Sequence, residues 1–167
     1  MKPPGAERLT LPGPAGTLEA LVETPAGDGA DVAPGSVPAA FGVVCHPHPL
    51  YGGTLDNKVA YTLARAFIEC GAPAIRFNFR GVGASAGRFD EGRGETEDAL
   101  AAIRYGRQRW PGAALWLAGF SFGAAVALRA ARFSRDFGDG GAGNHPGRHG
   151  GCAFAAVPMA VGAGRCG

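Results

Sequence analysis

The sequence predicts an α/β protein with a doubly wound, mostly parallel sheet, helices on both sheet faces and an antiparallel hairpin at the amino-terminal edge. Between residues 7 and 133, short apolar runs alternate with stretches of helical period, and glycine or proline marks the joins. Strands that alternate with helices imply crossover connections, which make neighbouring strands parallel. We therefore divide the chain into a folded α/β domain, residues 1–133, and a glycine-rich tail, residues 134–167.

The first elements are a hairpin, a buried strand and a helix. The stretches "ERLTLPGP" and "GTLEALVETP" predict two strands joined by a tight turn. "AAFGVVCHP" is a continuous apolar run, typical of a strand buried on both faces. Residues 56–70 carry apolar side chains at helical spacing, and Gly71 predicts the end of this helix.

Two further pairs of strand and helix follow. "APAIRFNF" predicts a strand, which a glycine-rich loop joins to a helix over about residues 95–109. "AALWLAGF" predicts the next strand, and it continues directly into the helix "GAAVALRAARF". Only a very short turn can separate these last two elements.

The tail has a different composition. After residue 133 no apolar period continues, and glycine-rich sequence loses too much chain entropy for the surface it can bury, so we expect a poorly ordered tail. The tail is rich in glycine, alanine, arginine and proline, the residues that GC-rich codons encode when they are read out of frame. This composition suggests a truncated chain whose reading frame shifts near residues 131–133. The sheet would then be incomplete at its carboxyl-terminal edge, and that exposed edge would allow self-association.

Composition narrows the class of protein. The 167 residues carry 16 basic and 14 acidic side chains, so the net charge of +2 gives no reason to expect nucleic acid or an anionic membrane as partner. The chain has no apolar run of membrane-spanning length and no signal-peptide pattern at its start. Its four cysteines are neither paired as CxxC nor dense enough for a disulfide scaffold. We therefore expect a soluble, cytoplasmic protein.

The stretch "GFSFG" predicts a nucleophilic serine at Ser121. It lies between a predicted strand and a predicted helix, and its glycines at positions 119 and 123 allow the two elements to approach closely. Such a turn holds the hydroxyl above the carboxyl end of the sheet and directs the Phe122 N–H at the same place, where it can stabilise an oxyanion. A structural turn with a spectator hydroxyl is the alternative, but the strand, turn and helix context favours the nucleophile.

A second oxyanion donor is predicted in "CHPHPLYGGTLDNK". Pro47 and Pro49 have no N–H, which leaves the amide of His48 as the candidate donor and that of Leu50 as a reserve. His46 and His48 could also be metal ligands, but two histidines separated by proline are a weak metal signal. We favour loop histidines that fix a backbone turn and predict no metal.

The stretch "GVGASA", residues 81–86, fits the dinucleotide-binding pattern G-x-G-x-x-A after a strand. That motif should open a helix directly, whereas further glycines prolong this loop and no later strand ends in a ribose-binding acid. We therefore predict no cofactor. Arg80 and Arg88 are interpreted as ion-paired or solvated rather than anion-binding.

Three stretches in this order resemble the α/β-hydrolase superfamily, specifically a bacterial branch of small lid-less hydrolases. The resemblance covers roughly residues 9–131 and rests on "CHPHPLYGGTLDNKV", "RFNFRGVGASAGRFDEG" and "LAGFSFGAAVALRAA". It implies an α/β-hydrolase sheet and a serine esterase acting on a small-molecule ester or acyl substrate. Ser121 matches the nucleophile, and Phe122 and His48 match the residues that supply the oxyanion-hole amides.

The catalytic acid and base depart from this pattern. In the superfamily the triad runs serine, then Asp or Glu, then His, the last two on loops after later strands. The tail after Ser121 lacks those predicted strands and offers only low-ranking candidates: Asp136, Asp139, His145 and His149. We therefore expect impaired turnover, and a non-catalytic binding or regulatory protein that uses the same cleft is the alternative function.

Overall fold

The computed structural model describes residues 5–26, 37–134 and 153–157. In these segments six strands and three α-helices alternate, with one 3-10 turn at Pro49–Tyr51. The strands are β1 (Gly5–Gly13), β2 (Gly16–Thr24), β3 (Ala40–Cys45), β4 (Ala74–Phe77), β5 (Ala114–Phe120) and β6 (Ala153–Val157). The helices are α1 (Lys58–Glu69), α2 (Arg93–Arg109) and α3 (Phe122–Ser134).

The strands form one sheet in the order β1-β2-β4-β3-β5-β6. β1 and β2 form an antiparallel hairpin that turns between Gly13 and Gly16, and β2 pairs antiparallel with β4. The remaining neighbours, β4 with β3, β3 with β5 and β5 with β6, are parallel. The predicted architecture, a mostly parallel sheet with a hairpin at the amino-terminal edge, is confirmed.

Helices cover both faces of the sheet, as predicted, and bury two separate apolar cores. On one face α1 packs Phe67 and Ile68 against β3 and β5. On the other face α2 and α3 cover a larger core that includes Phe41 and Phe77. A Cβ on Gly42 of β3 would run into the Phe67 ring, so this central strand needs glycine where α1 crosses it.

Side chains fix where two of the helices begin. α1 starts after Asn57, whose Oδ1 accepts hydrogen bonds from the amides of Val59 (2.9 Å) and Ala60 (3.4 Å). α2 starts at Arg93, two residues earlier than the apolar period indicated. The buried Glu95 carboxylate accepts hydrogen bonds from the amides of Asp90 and Gly92 and so stabilises the turn that precedes the helix. No described helix is long and apolar enough to cross a membrane.

The sheet extends beyond β5, the last strand that the sequence predicts, into the segment that was expected to be a poorly ordered tail. β6 pairs with β5 in parallel register from Trp116 opposite Ala153 to Phe120 opposite Val157. β6 falls within the segment 134–167 and stops at the residue before Pro158, the proline that interrupts its apolar run. β5 is therefore an inner strand, and β6 is the edge strand on this side of the described sheet.

Candidate active site

A single residue, Ser121, makes the turn between β5 and α3. β5 ends at Phe120, α3 begins at Phe122, and Ser121 has φ of +56°. Of the described residues other than glycine, only Ser121 and Glu91 have positive φ. Holding serine in this region costs on the order of 1–3 kcal/mol. The surrounding structure therefore enforces the strained turn that the sequence predicts.

The two flanking glycines allow this turn to lie against its neighbours. A Cβ on Gly119 would meet the carbonyl of Gly123, and a Cβ on Gly123 would meet the carbonyls of Cys45 and His46. Glycine at both positions thus lets the first turn of α3 pack on β5 and on the end of β3. This contact places Ser121 beside the loop that follows β3.

At the start of α3, the backbone amides differ in whether they have an acceptor. The amides of Ala124 and Ala125 donate to the Ser121 carbonyl at 3.0 and 3.3 Å. The Phe122 N–H donates to no acceptor within the described segments. Because a free amide at a helix amino terminus attracts negative charge, it is available to an oxyanion.

The β3 loop, residues 46–57, is folded around the backbone of His48. The amides of Tyr51 and Gly53 both donate to the His48 carbonyl at 3.1 Å. The Leu50 amide donates to Nδ1 of the His48 ring at 3.2 Å, which takes away the reserve oxyanion donor. The His48 amide itself has no acceptor in the described part of the chain and stays the candidate second donor.

His46 joins this loop to the end of β4. Its ring is fully buried, with Nδ1 2.7 Å from the Pro47 carbonyl oxygen and Nε2 3.1 Å from the Phe79 amide nitrogen. The amide can only donate, so Nε2 accepts and Nδ1 carries the proton. Burial lowers the pKa of His46 to about 4, which the hydrogen bond to Pro47 only partly offsets. With both nitrogens engaged, His46 is a structural clamp and cannot also be a ligand or a base.

Aromatic rings surround His48. Its ring centroid lies 4.8 Å from that of Tyr51, 5.0 Å from that of Phe89 and 4.8 Å from that of Phe122. We call these four residues the aromatic cluster. They come from the β3 loop, the loop after β4 and the first residue of α3, and the rings of His48, Phe89 and Phe122 are half-buried. Sequence reasoning missed the cluster, although aromatic residues that follow three parallel strands at their carboxyl ends were a usable signal.

The β4 loop, residues 78–92, is held by buried carboxylates. Arg80 makes a bidentate contact with the fully buried Asp98, with Nη2 2.9 Å from Oδ1, and its backbone amide donates to Oδ2 at 2.9 Å. Glu95 accepts the amides of Asp90 (2.8 Å) and Gly92 (2.7 Å). Arg80 is thus ion-paired, as predicted, and Phe89 lies in a rigidly held loop.

The stretch that fits the dinucleotide pattern lies within this loop. Oε2 of Glu19 accepts hydrogen bonds from the Ala84 amide (3.0 Å) and from Nδ2 of Asn78 (2.8 Å). A carboxylate of the protein itself therefore occupies a backbone amide that a phosphate would need. The next helix begins only at Arg93, so the stretch forms a structural turn.

Two other features, a buried thiol and a cavity, do not belong to the site around Ser121. Burial raises the pKa of the Cys45 thiol to about 12, which excludes it as a thiolate nucleophile. A cavity of about 530 Å³ lies between α2 and α3, and Ser121 does not line it. Its lining is Glu91, Gly92, Arg93, Thr96, Glu97, Leu100, Arg129 and Phe133.

The candidate catalytic acid and base are not placed. Asp136, Asp139, His145 and His149 all lie outside the described residues. The structure brings together Ser121, Phe122 and His48, each from the end of a parallel strand. It therefore describes a candidate nucleophile and two candidate oxyanion amides.

The chain is similar in sequence and in structure to bacterial proteins. No family model matches the chain. An uncharacterized protein, RP471, of Rickettsia prowazekii is 46% identical over 92 residues, covering 54% of this chain and 39% of that protein. XC6422 from Xanthomonas campestris, described as an α/β serine hydrolase without lid, superposes with a TM-score of 0.70 at 46% identity, covering 81% of this chain and 59% of that one.

An α/β serine hydrolase homologue from Coxiella burnetii gives a TM-score of 0.68 at 46% identity. That match covers 75% of this chain and 56% of the homologue. The chain thus spans less than two thirds of the length of each of these proteins.

Proposed function

Since the chain has the α/β-hydrolase fold and is similar to lid-less serine hydrolases of that superfamily, we propose that it hydrolyses carboxylic esters through an acyl-enzyme on Ser121. One observation carries the proposal: Ser121 is held at φ +56° between β5 and α3, next to the free amide of Phe122. A residue that only connected a strand to a helix would have no need of this strain.

The reaction would run in two steps. Oγ of Ser121 attacks the ester carbonyl carbon, and the electron pair of the C=O bond moves onto oxygen, where the amides of Phe122 and His48 stabilise it. The C–O bond to the alcohol then breaks, and the alcohol leaves with the proton that serine gave up. Water attacks the acyl-enzyme in the same way and releases the acid.

The proton transfers need a base that the described residues do not supply. Both ring nitrogens of His46 are engaged. Nδ1 of His48 accepts from the Leu50 amide, so in the neutral ring the proton is on Nε2, where it can donate but not accept. We propose that His145 or His149 acts as the base, with Asp139 as the acidic residue of the triad. We expect slow turnover, because a site without a seated base retains only the contribution of its oxyanion hole and binding.

The test is covalent labelling. Incubation of the purified full chain with p-nitrophenyl acetate or a fluorophosphonate, followed by intact-mass and peptide analysis, should show one adduct on Ser121. Ser121→Ala should abolish it, because serine provides the only oxygen that bonds to the probe. Circular dichroism of Ser121→Ala should match the parent protein, which excludes unfolding as the reason. An adduct on another residue, or full labelling of Ser121→Ala, would contradict the proposal.

A binding protein that uses the same cleft is the second candidate, and the absence of a placed base among the described residues favours it. The two candidates differ in one measurement. Saturable binding of an ester together with no adduct on Ser121 would support the binding protein, whereas an adduct supports the hydrolase.

A further inference from the structure

The aromatic cluster borders the place where the ester carbonyl would lie. Two of its rings belong to His48 and Phe122, the residues whose amides are the candidate oxyanion donors, and Phe122 follows Ser121 directly. The ring centroid of Phe89 lies 5.0 Å from that of His48 and 5.7 Å from that of Phe122. A group bonded to a carbonyl carbon between those two amides is therefore within reach of these rings.

The cluster is open on its outer side. Tyr51 is 85% exposed and Leu50 is 67% exposed, and both lie in the 3-10 turn of the β3 loop. Large apolar side chains exposed next to one another are a common mark of a binding surface. The ring contacts of the cluster form an aromatic wall, and the guanidinium of Arg129 lies near the edge of the Phe122 ring, since a Cβ on Gly92 would meet both.

The chemistry of the reaction decides which part of an ester this wall contacts. The alcohol must leave beside the group that returns a proton to it. The cluster holds no group that could first take this proton from Ser121, because Nδ1 of its histidine accepts from the Leu50 amide and Nε2 already carries the ring proton. The acyl group, in contrast, stays bonded to Ser121 beside the oxyanion amides through both steps.

We infer that the aromatic cluster is the acyl subsite and that it selects an aromatic acyl group, such as phenylacetyl, over acetyl. This inference rests on the proposed function. Face and edge contacts between a substrate ring and the rings of Phe89 and Phe122 would supply the preference, which we expect to be roughly tenfold in acylation rate. The β4 loop, pinned by Glu95, would hold the Phe89 ring ready for this contact.

The experiment measures the ratio of two acylation rates on Ser121, for p-nitrophenyl phenylacetate and p-nitrophenyl acetate, by intact mass over time. Phe89→Ala should lower this ratio roughly tenfold, because only the larger acyl group contacts the ring. Phe133→Ala is the matched control, since it removes an equal ring from the cavity between α2 and α3 and should leave the ratio unchanged. Tyr51→Ala, at an exposed position, gives a second variant that carries little risk of unfolding.

Two outcomes would overturn the inference. Equal loss of both rates in Phe89→Ala, with Tyr51→Ala like the parent protein, would mean that the ring only supports the loop. A fall in the ratio for Phe133→Ala would place the acyl group in the cavity between α2 and α3.

A second readout separates this inference from the proposed function. Phenylacetamide is an uncharged analogue that resists acylation, and its binding can be followed by ligand-observed NMR. If no ester acylates Ser121, the proposed function fails, but weaker phenylacetamide binding by Phe89→Ala than by Phe133→Ala would still support the aromatic cluster as a binding site. Equal binding by the two variants would overturn it.

Discussion

The β3 loop and the β4 loop both border Ser121, but different chemistry holds them. The β4 loop is tied down by carboxylates: the buried Asp98 contacts Arg80, the buried Glu95 accepts two amides, and the half-buried Glu19 accepts a third. The β3 loop is joined to the rest of the fold by the neutral imidazole of His46 and by two buried hydrogen bonds at the backbone of Leu55. The His46 ring is neutral in the folded protein above its lowered pKa of about 4, so acid acts on the β3 loop by protonating this ring. Mutation acts on the β4 loop by removing a buried charge, so the two loops should respond differently to mutation and to acid.

The largest effect should come from breaking the carboxylate network of the β4 loop. Asp98→Ala leaves the guanidinium of Arg80, whose side chain is 11% exposed, without its buried partner. Removing one member of a buried ion pair costs roughly 3–5 kcal/mol of unfolding free energy. Urea unfolding followed by circular dichroism measures the loss.

Glu97→Ala is the matched control for that change. Glu97 contacts the same guanidinium at 3.4 Å, but its side chain is 63% exposed. We expect a cost of about 0–1 kcal/mol. If the two variants were equally stable, the buried pair would not be what fixes the β4 loop, and the contrast between the loops would disappear.

A smaller effect, confined to the β3 loop, should appear in the pH dependence of stability. The folded-state pKa of His46 is lowered to about 4 from an ordinary value of 6.5, so the unfolded chain binds the proton more readily. The contribution of His46 is therefore complete above pH 6.5 and is lost as the pH falls towards about 4, by about 3 kcal/mol at most. Unfolding free energies measured at intervals across this range would show the slope.

His46→Asn tests the assignment of that slope. Asparagine offers one donor and one acceptor but does not titrate, so the variant should be less stable at neutral pH and flatter between pH 6.5 and 4. An unchanged slope would show that another group is responsible.

The smallest effect concerns the strained turn at Ser121 between β5 and α3. Ser121→Gly and Ser121→Ala both remove the hydroxyl, but only glycine adopts φ of +56° without strain. We expect the glycine variant to be more stable than the alanine variant by about 1 kcal/mol, because relief of strain is partly offset by the greater entropy of the unfolded glycine chain. Thermal unfolding of the two variants checks this. If alanine were as stable as glycine, the turn would not be strained.

The order of the elements could be predicted from the sequence because it depends on local patterns. The apolar run of β3, the helical spacing in α1 and the glycine after it each lie within a few residues of one another. β6 could not be predicted in this way, since its five residues become a strand only by pairing with β5, more than thirty positions earlier in the chain.

The candidate site divides along the same line. Ser121 and Phe122 follow from one short stretch, and the prolines around His48 single out its amide. The hydrogen bond from the Leu50 amide to the His48 ring depends on the rotamer of His48. The aromatic cluster depends on how two loops pack against the start of α3. Neither the rotamer nor the loop packing leaves a periodic signal in the sequence.

The imidazole bridge between Pro47 and Phe79 also has a kinetic consequence. His46 joins the β3 loop to the end of β4, so an opening movement of this loop would leave the buried Phe79 amide and the Pro47 carbonyl without hydrogen-bond partners. Such a movement is therefore unfavourable. The His48 amide would then keep one position whether or not an ester is present, with little reorganisation as charge develops. Entry of an ester would then not require this loop to open.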